Sequence, residues 1–141
     1  MSGPVLAIDQ SGARCRAVLF SSDRRVLASA REDLKPLNPR PGQVEFDPEE
    51  IWTATIASCR AALVRARIDP GAVSAIGIAA DADTTIAWDR GTGKAVHNAI
   101  AGADNRADGR CRALREAGVE TLIRSRSGLK IDPGRADPRL A

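Results

Sequence analysis

Three groups of side chains in this 141-residue sequence have the types and spacing that chemistry requires. Asp9 stands directly after the apolar run Val5-Leu6-Ala7-Ile8 and before the small-residue stretch Gln10-Ser11-Gly12-Ala13. In an open α/β sheet, ligands gather where strands end. A carboxylate there can hold Mg²⁺, and the backbone N–H groups of Ser11, Gly12 and Ala13 can cradle a phosphate. Taken alone, Asp-x-x-Gly is explained more simply by an aspartate capping a turn. Asp81-Ala82-Asp83 follows a second apolar run and places two carboxylates at i and i+2, near Asp9 if the two strands are neighbours. Such a pair can bind a metal or a substrate hydroxyl, and without a cation their repulsion favours a proton on one of them. A solvated loop accounts for the same residues. Asp104-Asn105-Arg106 offers hydrogen bonds to a polyol, or opens a helix with Asp104 as its cap.

The remaining composition narrows the classes of function. Aromatic residues are 3% of the chain, with no Tyr, which argues against the stacking platforms of single-stranded nucleic-acid binders. The net charge of +3 is spread through alternating Arg, Asp and Glu, without the one-sided basic face that nucleic acid requires. Cys15, Cys59 and Cys111 lie far apart, and His97 is the one histidine, so neither a disulfide framework nor a zinc ligand set is suggested. The cysteines read as small core residues and His97 as structural. The expected setting is a reducing cytoplasm, with no nucleic-acid and no membrane partner, since no segment has the length of a signal or a span.

The elements that must position these residues follow from periodicity. Val5–Ile8, Cys15–Phe20 and Arg25–Ala30 read as three strands of an antiparallel meander, with Gln10–Ala13 and Ser21–Arg24 as turns. Prolines exclude regular structure between Leu34 and Gly42. Asp47-Pro48-Glu49-Glu50 is a helix start with a cap, a first-turn proline and a capping-box glutamate. The helix is expected over Asp47–Ile68, packing across a sheet through Trp52, Ile56, Cys59, Leu63 and Ala66. Val73–Ala80 reads as an interior strand covered on both faces and parallel to the first. Further strands are expected at Thr84–Trp88 and Val96–Ile100, and helices at Asp104–Ala117, closed by Gly118, and Val119–Ser125, closed near Gly128. The order predicts an α/β ribonuclease-H-like lobe with a βββαβ opening, incomplete in extent, of the kind shared by sugar kinases, actin-like ATPases and several nucleases.

A longer set of strings points to one family. Leu6-Ala7-Ile8-Asp9-Gln10 with Arg16-Ala17-Val18 resembles the opening phosphate motif of the FGGY carbohydrate kinases, nearest to their glycerol-phosphorylating branch. Pro39 to Trp52 is similar to that family's loop into its first helix. Ala75-Ile76-Gly77-Ile78, Thr84 to Trp88, Thr92-Gly93-Lys94, Asn98-Ala99-Ile100, Asp104-Asn105-Arg106, Ile123-Arg124-Ser125, Ser127-Gly128-Leu129 and Ile131-Asp132-Pro133 follow in the same order. The resemblance runs from about Val5 to Pro133. It implies a carbohydrate-kinase N-terminal domain over residues 1–133, in part, and a tail at 134–141 without family resemblance.

The resemblance also implies roles. Asp9 would position Mg²⁺ through water, Gln10, Ser11, Gly12 and Arg16 would meet ATP phosphates, and Asp83 would accept a hydrogen bond from a polyol or sugar hydroxyl. Departures weaken this machinery. The family's Gly-Thr-Thr-Ser-Ser turn is Ser11-Gly12-Ala13-Arg14-Cys15 here, its Gln-Arg-Glu is Asp81-Ala82-Asp83, its Trp-Gln is Gly102-Ala103, and its Tyr after Asp-Pro is Gly134. The general base and second lobe of the family have no counterpart, so the expectation is a kinase domain inactive alone, with weak or absent ATP and Mg²⁺ binding. Self-association or pairing with a missing kinase half is expected. Two alternatives use the same fold: a non-catalytic binding or relic module, and a Mg²⁺-dependent nuclease with Asp9 and Asp81 or Asp83 as ligands.

Overall fold

The computed structural model describes residues 3–135. Its elements in chain order are β1 (Val5–Ser11), β2 (Arg14–Phe20), β3 (Val26–Asp33), β4 (Glu45–Phe46), α1 (Pro48–Ala66), β5 (Ala75–Ala80), β6 (Ala99–Ile100), α2 (Asp108–Glu116) and α3 (Glu120–Ser127), with a 3-10 turn at Pro70–Ala72. These fall into two compact units: Met1–Lys35 with Asp47–Asp81, and Pro36–Phe46 with Ala82–Ala141.

The first unit is a four-stranded sheet in the order β3-β2-β1-β5. β1 pairs antiparallel with β2, and β2 with β3, as the meander reading expects. β5 pairs parallel with β1, Val5 opposite Ala75 and Gln10 opposite Ala80. The first turn is shorter than its composition suggests. Gln10 and Ser11 stay in the ladder, opposite Cys15 and Arg14, and the chain reverses over Gly12 and Ala13. Gly12 sits at φ 56°, a left-handed conformation that a residue without Cβ reaches at little cost.

α1 begins as its sequence dictates. The Asp47 carboxylate accepts the Glu49 N–H at 2.9 Å, Pro48 fills the first position, and Glu49 and Glu50 place negative charge on the first turn. The helix ends at Ala66, two residues before the expected Ile68, with Arg67 in the left-handed region. Its buried line is Ile51, Ala54, Ser58, Cys59, Ala62 and Leu63. Cys59, Ala62 and Leu63 close on Leu6, Ala17, Leu19 and Ala30 of the sheet to form the core. Trp52 is a correction: it is 64% exposed, and Ile56 is only half-buried. Each residue turns a helix by about 100°, so a stripe begun at Trp52 instead of Ile51 starts a third of a turn off the face that meets the sheet.

β5 is the second correction. It is parallel to β1, as expected, but lies at the end of the sheet with Ile76 61% and Ile78 74% exposed. α1 packs on β2 and β3 and only lightly on β1, so the side chains that suit a strand covered on both faces are left bare.

The second unit has little sheet. β4 pairs antiparallel with β6, Glu45 opposite Ile100 and Phe46 opposite Ala99. Thr84–Trp88 is not a strand: it makes isolated bridges, Thr85 to Ile100 and Trp88 to Ala95. Of Val96–Ile100, Ala99 and Ile100 form β6. Between the Thr85 and Trp88 bridges and Ala95, Asp89 accepts the Thr92 N–H at 2.7 Å and fixes the expected turn. α2 starts at Asp108, four residues later than Asp104. Ala107, Cys111 and Ile131 form a small core with Leu114, Val119 and Ile123 against them. Gly118 and Gly128 stand just past α2 and α3 with positive φ, as expected. The 134–141 tail lies outside the described residues from 136 onward.

Burial on α1 yields a paired test. Leu63→Ala, which empties a core position, is expected to cost about 2–5 kcal/mol in urea denaturation. Trp52→Ala should stay within roughly 0.5 kcal/mol of the parent. The reverse ranking would refute the packing face described above.

Candidate functional site

The sheet of the first unit has one face toward α1 and one away from it. Leu6 is buried and Ile8 packs on the same core, so the period-two alternation of β1 turns Asp9 to the opposite face. Registration does the rest. Asp9 is opposite Arg16, and Arg16 is opposite Arg31, which makes one row of charged side chains across three strands. On its other side Asp9 meets Ala79 of β5, a residue with almost no side chain to crowd it. The Asp81 N–H donates to the Gln10 carbonyl at 2.8 Å and continues the parallel pairing by one more bond. Asp9 and Asp81 thus lie near the C-terminal ends of two parallel strands, with Arg16 opposite Asp9 on β2.

Gln10 divides its contribution. It is opposite Cys15, whose thiol is buried beneath α1 and directed at the Ile51 carbonyl, so the Gln10 side chain belongs to the α1 face and not beside Asp9. Above Gly12 the space is open, since an added Cβ would meet no atom within 4 Å. A phosphate can approach the backbone there, which suits the role Gly12 has in the family resemblance. Among the described residues no three His, Cys, Asp or Glu side chains assemble as a metal cage. Mg²⁺ needs fewer protein ligands than such a cage, since it keeps most of its waters and takes one or two carboxylates.

In the second unit, Asp83 is ion-paired to Arg135 at 2.9 Å, each side chain 41% exposed. Sequence reasoning missed Arg135, which stands beyond the last string of the family resemblance. No local pattern connects it to Asp83, because the contact spans 52 positions.

The second unit also contains a buried ionic network. The Glu45 side chain is 5% exposed and that of Asp104 wholly buried, with Arg106 between them. Arg106 Nη2 donates to Glu45 Oε1 at 2.6 Å and to Asp104 Oδ2 at 2.8 Å, and Nε donates to Asp104 Oδ1 at 2.8 Å. Asp104 further accepts the backbone N–H of Val44 at 2.7 Å and of Arg106 at 2.9 Å. Asn98 Nδ2 donates to Glu45 Oε2 at 2.9 Å, and His97 Nε2 lies 3.9 Å from Glu45 Oε1. Asp104 is therefore neither a helix cap nor an open ligand for a polyol; its oxygens are taken by Arg106 and the Val44 N–H.

Burial is the largest single influence on both carboxyls and pushes their pKa values up. For Glu45 the hydrogen bonds from Arg106 and Asn98 and the charges of Arg106 and His97 outweigh it. For Asp104 the bonds from Arg106 and Val44 do the same, and both carboxyls titrate below their ordinary range. Arg106 is held charged, its pKa raised chiefly by the bond to Asp104. The three cysteines are buried and unpaired, as expected, and burial raises each thiol.

Lowered carboxyl pKa values give stability that is present above the unfolded-state values and is lost as pH falls through the folded ones. Arg106→Met removes the cation that the buried Glu45 and Asp104 carboxylates share and should cost about 3–5 kcal/mol. With those bonds and charges gone, burial weighs more heavily on both carboxylates, so the variant should gain stability relative to the parent as pH falls from about 7 to 5. Denaturant midpoints across that range check the sign, and a variant curve parallel to the parent's would refute it.

The comparisons with known proteins bear on the family and the fold. A sequence model of the FGGY family of carbohydrate kinases, N-terminal domain, matches residues 4–141, past Pro133. The chain is 44% identical over 128 residues to a glycerol kinase of Paracidovorax citrulli, covering 91% of this chain and 25% of that protein. It is 43% identical over 141 residues to a glycerol kinase of Methylobacterium nodulans, covering all of this chain and 28% of that protein. It thus spans about a quarter of the length of these relatives. Among solved structures, Plasmodium falciparum glycerol kinase with ADP superposes with a TM-score of 0.89 at 22% identity, over 97% of this chain and 28% of that one. A gluconate kinase from Lactobacillus acidophilus gives 0.87 at 22% identity, over 97% and 27%. The fold is that of the actin-like, ribonuclease-H-like kinases, and the chain belongs to the FGGY family of carbohydrate kinases, whose N-terminal domain it matches.

Proposed function

We propose that this chain is the phosphate- and polyol-facing part of a glycerol-type carbohydrate kinase, and that it does not transfer phosphoryl groups alone. The observation that carries the reading is the placement of Asp9 opposite Arg16 at the ends of parallel strands, beside the open turn at Gly12. Phosphoryl transfer is positioning and charge stabilisation from both sides of the phosphate, and these residues supply one side.

Each residue then has a task. Asp9, with Asp81 near it, holds the water shell of Mg²⁺; the metal, when bound, neutralises charge on the ATP phosphates. Arg16 meets phosphate oxygen as a fixed cation, and the backbone N–H groups around Ser11 and Gly12 receive a second oxygen. Gln10 supports this turn through its main chain, which carries the bond from Asp81. Asp83 accepts a hydrogen bond from a substrate hydroxyl, and Arg135 orients its carboxylate. The hydroxyls of the family's phosphate turn are replaced by Gly12, Ala13, Arg14 and Cys15, so nucleotide affinity is low.

The exposed β5 strand sets the partner. A parallel strand with bare Ile76 and Ile78 favours cover by more polypeptide. A second copy or the complementary part of a kinase supplies it.

Three measurements test this reading. Purified chain given ATP, Mg²⁺ and glycerol should show no turnover, and turnover that disappears in Asp9→Ala would overturn the claim of inactivity. Binding of ADP should strengthen with Mg²⁺ in the parent and become indifferent to Mg²⁺ in Asp9→Ala, read by calorimetry. In sedimentation, Ile78→Lys should shift a self-associating parent toward monomer; a parent already monomeric at all concentrations would refute the second copy as the cover.

A further inference from the structure

We propose that the groove along β3 is a binding site for a phosphate-class dianion, distinct from the Gly12 turn. The groove has a volume of about 360 Å³ and is lined by Arg14, Arg16, Ser29, Ala30, Arg31 and Arg65. Four of its six lining residues are arginines and none is a carboxylate.

The strand register creates this concentration of charge. Arg16 and Arg31 are direct cross-strand partners, and Arg14 lies two residues along on the same face. Like charges placed directly opposite destabilise a sheet, and an anion between the guanidinium groups would offset that repulsion. Ser29, opposite Val18, shares the face and contributes a hydroxyl. Arg65 reaches over from α1 and donates Nη1 to the Ser29 carbonyl at 2.6 Å, which leaves its other donors for a ligand. Two carboxylates lie at the margins. Asp9 is opposite Arg16, and Asp33 is opposite Arg14 and 3.8 Å from Arg31, with both members of that pair mostly exposed. Neither lines the groove. Arg14 and Arg16 have no ion pair among the described residues. Forked, planar donors on several sides of one space match the oxygens of a phosphate.

The site shares Arg16 with the phosphate contact proposed above, but Arg31 and Arg65 are its own. Its test therefore uses those two. The full chain, labelled with ¹⁵N, is titrated with inorganic phosphate at constant ionic strength, following backbone amides and arginine Nε signals. Saturable shifts are expected on β2 and β3. Arg31→Gln and Arg65→Gln should each weaken binding about tenfold, with signal dispersion showing that the fold is kept. Arg110→Gln, the same change of charge on α2, should leave binding as it was.

An ADP arm separates the sources of the phosphate. Displacement of inorganic phosphate from β3 by ADP identifies a nucleotide phosphate, and shifts confined to the Gly12 turn identify free phosphate; both agree with the site. Arginines that merely guard the free edge of β3 give a different result. Shifts that never saturate, that chloride reproduces, or that Arg31→Gln and Arg110→Gln alter equally would overturn the proposal. Asp9→Ala should change the Mg²⁺ dependence of ADP binding and leave the groove intact, so failure of this site and failure of the kinase reading are separable.

Discussion

β1 is hydrogen-bonded on both sides, antiparallel to β2 and parallel to β5, and its alternation allows one register only. Leu6 must face α1 to complete the core. With Leu6 fixed, Ile8 follows it inward and Asp9 turns to the other face. A slip by one residue would bury Asp9 under α1 and expose Leu6, exchanging a favourable burial for an unpaired charge in an apolar layer. The same apolar side chains that hold the sheet together therefore aim the carboxylate, and the partner registers place Arg16 and Asp81 around it.

The second unit is organised on another principle. Its apolar core around Ala107, Cys111 and Ile131 is small, and the loops that precede α2 are held by charge. Arg106 ties Glu45 of β4 to Asp104, and Asp104 takes the Val44 N–H. An ion network of this kind adds little net stability over an apolar replacement, but it penalises every arrangement in which one member is left alone. It specifies the path of the loops more than it strengthens them.

The legible parts of the sequence were those with local physical causes. Asp47 and Pro48 announce the start of α1, the alternation of Cys15 to Phe20 announces β2, and Gly118 and Gly128 announce helix ends. The parallel pairing of β5 with β1 was also readable, because an apolar run after a helix suits nothing else as well. The stripe through Trp52 is one residue out of phase with the buried face, because a large apolar side chain in the sequence does not fix the phase of the helix. Cover on β5 was misread because composition reports what a strand suits, not what lies beside it. Thr84–Trp88 has strand composition without partners that pair along its length. In the candidate site, the strings single out Asp9 and Arg16, and the register sets them opposite one another. The Arg135 contact to Asp83 and the Glu45–Arg106–Asp104 network join positions too far apart for any window to connect.

The two pairings of β1 differ in the time they require. β2 follows β1 after a two-residue turn, and β3 follows β2 almost as closely, so the meander closes through short loops at small entropic cost. The parallel partner comes only after the whole of α1 has been made, with Val5 waiting for Ala75. Loop closure over that length is slower than hairpin formation. Asp81 and the Gln10 carbonyl are joined in that late step. A chain that has folded its hairpins and helix but not yet docked β5 already displays Asp9 and Arg16 in register, while the strand end that completes their surroundings is still absent. The surroundings of Asp9 thus depend on the sheet pairing of longest sequence separation, and local opening of β5 would take Asp81 away from them without emptying the core.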